Sequence, residues 1–141
     1  MTVAPTVDFT DWAVPDLVLT LGGHTYTVRP PSVDRARHIL ACTVRAEINL
    51  QLHPGPMPAE LTEVLTVLDQ TPLGVVTLGQ DVYDQMVADG HPPMTIDRVA
   101  YYAMFHWARG KDRADQVATA LWAPAADDGE DGGASGGSAR R

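Results

Sequence analysis

Cysteine and lysine are almost missing from this 141-residue chain, which holds one of each. Cys42 alone excludes an intrachain disulfide and gives no sign of a stapled, secreted scaffold. It falls in a helical pattern, where a buried, inert thiol is expected rather than a nucleophile. Lys111 is the single lysine, and 10 Lys and Arg stand against 18 Asp and Glu, for a net charge of −8. That balance speaks against nucleic acid as a partner, because non-specific binding needs cations clustered on phosphates. No apolar run approaches the roughly 20 residues of a membrane span. The N-terminus also lacks the basic region and apolar stretch of a signal peptide. The expectation is a cytoplasmic protein with neither nucleic acid nor membrane as partner.

Catalytic signatures are missing as well. Gly22-Gly23 and Gly74 to Gly79 yield neither a dinucleotide fingerprint nor a phosphate loop with its lysine. There is no G-x-S-x-G elbow. The five histidines are His24, His38, His53, His91 and His106, and no two have the three-to-five residue spacing common in zinc sites. Asp81, Asp84 and Asp89 with Gly90 do not follow the alternation of a calcium loop. No catalytic residue, cofactor or metal is therefore expected, and the chain does not read as an enzyme.

What is present is patterned for folding. Leu17, Leu19 and Leu21 alternate with Val18 and Thr20, the period of a strand with one buried face. Gly22-Gly23 supplies the positive φ angles of a tight turn. Folding about it sets Leu21 opposite His24, Leu19 opposite Tyr26 and Leu17 opposite Val28. Pro30 and Pro31 end the ladder, and Ser32 is placed to cap a helix.

That helix is expected from Val33 to near Leu52, with Val33, Ala36, Leu40, Val44, Ile48 and Leu52 inward and Glu47 off the stripe. Pro54, Pro56 and Pro58 break it. A second helix is expected over about 59–70, interrupted by Thr71-Pro72-Leu73-Gly74. A third, over about 80–88, presents Val82 and Met86, with Thr77 as a candidate cap. A fourth starts at a Thr95 cap, carries Ile96, Val99, Tyr102, Ala103, His106 and Trp107, and ends at Gly110. A fifth, over about 112–122, buries Ala114, Val117, Ala118 and Leu121.

The fold class is thus mainly α: a small domain of about five helices with an N-terminal β-hairpin. Residues 1–16 form an extended lead-in, with Phe9 and Trp12 as candidates to dock on the body. Residues 17–122 form the hairpin and helical domain. Residues 123–141, acidic and Gly/Ser-rich, lack large apolar side chains and are expected to be disordered, as a flexible end or a linker.

Tyr101, Tyr102, Phe105 and Trp107 cluster near the fourth helix, with Trp122 close in sequence. Helical spacing assigns them to a core; an exposed Tyr101 or Trp122 would instead mark a partner surface. Met57, Met86, Met94 and Met104 either fill core gaps or adapt to partners. The candidate partner-binding residues are Tyr101, Trp122, Met86 and Met94.

Three segments in this order resemble a known family: LVLTLGGHTYTVRPPSVD, then TLGQDVYDQMVADG, then AYYAMFHWARG. The chain resembles, over about Asp8 to Trp122, the tail assembly chaperones of long-tailed phages and prophages of actinobacteria. The resemblance implies a non-enzymatic protein of the host cytoplasm that binds the tape measure protein. It would keep that client soluble while tail tube protein polymerises around it, and would be missing from the mature virion. It also implies a longer form made by programmed frameshift, with which the short form could associate. Open hairpin edges leave homo-oligomer formation open. The alternative reading is a structural virion protein, such as a head–tail connector or tail component.

Overall fold

The computed structural model describes residues 4–123. The expected disordered tail lies, apart from Ala123, outside the described residues. Strands β1 (Leu17–Leu21) and β2 (His24–Val28) form an antiparallel hairpin. Six helices follow among the described residues: α1 (Val33–Asn49), α2 (Ala59–Val67), α3 (Leu73–Leu78), α4 (Gln80–Ala88), α5 (Pro93–Arg109) and α6 (Lys111–Trp122). The architecture is mainly helical with an N-terminal hairpin, as the residue patterns predict.

The hairpin has the expected register, Leu17 opposite Val28, Leu19 opposite Tyr26 and Leu21 opposite His24. Gly22 and Gly23 take φ of 59° and 84°, the positive pair that a two-residue turn matching strand twist needs. Tyr26 and Val28 are buried, and the three leucines are half-buried beside them. Ser32 caps α1 by accepting a hydrogen bond from the Arg35 N–H at 3.3 Å.

Helix α5 is the axis of the body. It shares one core with α1, α2 and α6 through Met104 and Phe105, against Ile39, Cys42, Leu65 and Val117. It shares a second with the hairpin, α3 and α4 through Ile96, Ala100 and Ala103, against Tyr26, Val28 and Met86.

Several expectations are corrected. The buried face of α1 is Ile39, Ala41, Cys42, Thr43, Val44, Ala46 and Glu47; of the expected stripe Val44 is buried and Ile48 half-buried, whereas Val33, Ala36, Leu40 and Leu52 are exposed. The buried face lies in the C-terminal half of the helix and is broader than one stripe, and on it Thr43 Oγ1 donates to the Ile39 carbonyl at 2.7 Å. Helix α1 ends at Asn49, because Gln51 turns to φ 62° and the Leu52 N–H reaches back to the Glu47 carbonyl. Helix α2 stops at Val67.

The expected break at Thr71–Gly74 is instead the start of α3. Pro72 sits at its N-cap, where its missing N–H costs no helical bond, and Gly74 is inside the helix. Thr77 is buried in α3, bonded to the Leu73 carbonyl at 3.1 Å, so it caps nothing. Thr95 is likewise inside α5, whose N-cap is Pro92. Phe9 and Trp12 do not dock on the body; both are exposed and meet each other edge-on at 5.2 Å between ring centroids. No helix of the described residues is long and apolar enough to cross a membrane.

Candidate functional site

Helices α5 and α6 pack against each other across the turn at Gly110. Met94, Asp97, Arg98 and Tyr101 lie on α5 at the spacing of one helix face, and Leu121 and Trp122 stand opposite on the last turn of α6. Together these six residues line an open groove of about 310 Å³. Tyr101 anchors its floor, its ring 5.5 Å from Phe105 of the core and 5.9 Å from Trp122, both edge-on. The Arg98 guanidinium lies 5.7 Å from the centre of the Trp122 ring, a cation–π contact that covers one indole face. Met94 is 68 % exposed and Leu121 43 % exposed.

Three of the four candidate partner-binding residues, Tyr101, Trp122 and Met94, therefore converge on one surface. Met86 does not. It is fully buried on α4, packed with the hairpin and α5, and has no surface to offer a partner. Leu121, expected in the core, is the residue missed: the inward face of α6 is carried by Ala114 and Val117, which turns Leu121 outward. Met104 is core and Met57 half-buried against it.

A second constellation forms where the hairpin turn meets the end of α4. Gly90 takes φ 83°, its N–H donates to the Val87 carbonyl at 3.0 Å, and the His91 N–H donates to the Met86 carbonyl at 3.3 Å. This paired closure of a helix end holds Asp89 and His91 beside the hairpin. Tyr26 Oη donates to Asp89 Oδ2 at 2.6 Å and lies 2.8 Å from His91 Nε2. With the phenol proton directed at Asp89, Nε2–H is the donor to Oη. His24 Nδ1 sits 3.4 Å from the same Asp89 oxygen. Burial, then the hydrogen bond to Asp89 and its charge, push Tyr26 up to about 12. His24, Asp89 and His91 are the described residues whose ligand atoms come close enough to hold a metal, all within 4.8 Å of one another.

Sequence spacing missed this group because His24 and His91 are far apart along the chain. The local signal is an Asp-Gly-His run across a helix end.

A further cleft of about 420 Å³ between β2 and the start of α4 is lined by Arg29 and Arg35. Arg35 is already committed there, donating from Nε and Nη2 to the Val76 carbonyl.

The fold defines a small helical protein with an N-terminal hairpin and an open groove between α5 and α6. Residues 7–141 match the family described as a domain of unknown function, DUF7426, and the chain belongs to that family. No curated protein and no solved structure matches the chain.

Proposed function

We propose that this protein is a tail assembly chaperone of a long-tailed phage or prophage. It binds the tape measure protein and keeps it soluble while tail tube protein polymerises around it. The resemblance of the hairpin, of Thr77–Gly90 and of Ala100–Gly110 to that family supports the reading. The structural observation that carries it is the groove between α5 and α6.

An apolar helix laid along α5 would place its anchors on Met94, Tyr101, Leu121 and Trp122, the helix-in-groove mode of recognition. Met94 suits such a role, because an unbranched thioether conforms to successive client segments. Arg98 and Asp97 give the rim one charge of each sign, which sets client orientation more than affinity. The net charge of −8 keeps a complex with an apolar client in solution. The partners proposed are the tape measure protein, the frameshift-extended form of this chain and, at the point of handover, tail tube protein.

The test is peptide mass spectrometry of phage-producing cells beside purified virions. N-terminal peptides in a short and an extended form, both missing from virions, support the chaperone. Recovery of the chain from virions in fixed stoichiometry refutes it and favours a head–tail connector or other tail component.

A further inference from the structure

We infer that His24, Asp89 and His91 form a binding site for a divalent transition-metal ion of the zinc class, bridging the hairpin to the end of α4. The ligand set is two imidazoles and one carboxylate. Calcium and magnesium are poor candidates for it, since both take oxygen donors, whereas imidazole suits Zn²⁺ and its first-row neighbours.

The geometry is close to what such an ion requires. Bonds of about 2.0–2.1 Å in a tetrahedral site put ligand atoms roughly 3.3 Å apart. His24 Nδ1 and Asp89 Oδ2 are already 3.4 Å apart. The widest separation in the trio is at most 4.8 Å, so closure needs a side-chain movement of about 1.5 Å. Three protein ligands leave a fourth position for water. The His24 and Asp89 side chains are 46 % and 30 % exposed, which gives the ion an entry path.

Two further features favour a cation there. Asp89 is the C-cap of α4, where the outward-pointing carbonyls of the last turn carry partial negative charge. Tyr26 is buried with its hydroxyl on Asp89, the outer-shell hydrogen bond that orients a ligating carboxylate. On binding, the Nε2–H bond from His91 to Tyr26 is exchanged for an Nε2–metal bond and the imidazole proton moves to Nδ1. Tyr26 keeps its hold on Asp89.

A Cβ on Gly22 would stand 3.4 Å from His91 Cε1, an ordinary contact, so the hairpin turn lies directly beside the imidazole. A bound ion would tie β2 to the α4–α5 connection and stabilise the fold by its affinity for the native state alone.

The test uses the full-length, tag-free chain titrated with zinc chloride by calorimetry, with thermal unfolding in parallel. The expected result is one ion per chain with saturation in the micromolar range and a rise in Tm. His24→Ala, at an exposed position that leaves the core untouched, weakens binding at least roughly tenfold. Tyr26→Phe, which keeps the ring and removes the hydroxyl, weakens it by roughly ten- to a hundredfold. Cobalt in place of zinc gives the intense visible bands of four-coordinate Co²⁺, lost in His24→Ala. No saturable binding, or binding undiminished by His24→Ala in a chain with unchanged circular dichroism, overturns the site.

Discussion

Arg109 at the end of α5 grips Glu47 of α1 with two parallel hydrogen bonds, Nε to Oε2 at 3.0 Å and Nη2 to Oε1 at 2.9 Å. The pair is lopsided, because the Glu47 side chain is 8 % exposed and that of Arg109 35 %. The consequence is an asymmetry between the two truncations. Arg109→Ala strands a buried carboxylate and is expected to cost about 3 kcal/mol. Glu47→Ala leaves a guanidinium that reaches water, and about 1–2 kcal/mol is expected. Urea denaturation of the two variants checks the order; equal losses would contradict it.

Gly74 is inside α3 because Tyr83 of α4 lies across it. A Cβ there would stand 2.5 Å from Tyr83 Cδ1, a distance at which something must shift. Gly74→Ala is therefore expected to destabilise by about 1–3 kcal/mol despite its better helix propensity. Tyr83→Leu should remove most of the penalty, and a double-mutant cycle measures that coupling.

Cys42 is buried in the α1 face against α5, and burial raises its thiol above the usual range, opposed only in part by the Arg45 charge. The thiolate is the reactive form. Labelling by a disulfide reagent at neutral pH is expected to be slow for the folded chain and fast in urea, tracking unfolding.

Two tyrosines predict alkaline behaviour. Tyr26 and Tyr102 are each pushed up to about 12 from 10.0, in both cases first by burial and then by a hydrogen bond to a carboxylate, Asp89 or Asp115. In the unfolded chain both ionise near 10, so unfolding releases protons above that pH. The stability they contribute is complete below about pH 10 and falls as pH rises toward 12. The urea midpoint should therefore drop between about pH 8 and about pH 11. Asp115→Asn, which removes the acceptor charge at Tyr102, should make that drop smaller.

The parts legible in the sequence are those fixed by local geometry. The hairpin register follows from the leucine alternation and a two-glycine turn, and α4 with Val82 and Met86 inward follows from helical spacing. Helix α3 was hidden because Pro72 and Gly74 carry the marks of a break. One of them starts the helix and the other makes room for Tyr83. The face of α1 depends on which side of it meets α5, and Glu47 turns inward because Arg109, 62 residues on, is there to meet it.

The groove was half legible. Met94 and Tyr101 share a helix face on spacing alone, but their meeting with Leu121 and Trp122 depends on the way α5 and α6 pack. Met86 has the same chemistry as Met94 and the opposite fate, since α4 presents it to Tyr26 and Val28. In the His24–Asp89–His91 group Asp89 and His91 are local, and only the meeting with His24 and Tyr26 of the hairpin is long-range.

The central claim is that the α5–α6 groove holds the client. The measurement that tests it most directly is the soluble fraction of tape measure protein co-expressed with the full-length chain, beside a Met94→Lys/Leu121→Asp variant. Both positions are exposed, so the variant should keep its circular dichroism and Tm. Burying a Met or Leu side chain is worth about 1.5–3 kcal/mol, so losing both anchors should weaken binding at least roughly a hundredfold. The account predicts soluble, co-purifying tape measure protein with the natural chain and insoluble client with the variant. Equal solubility with both chains, or no solubilisation by either, would contradict it.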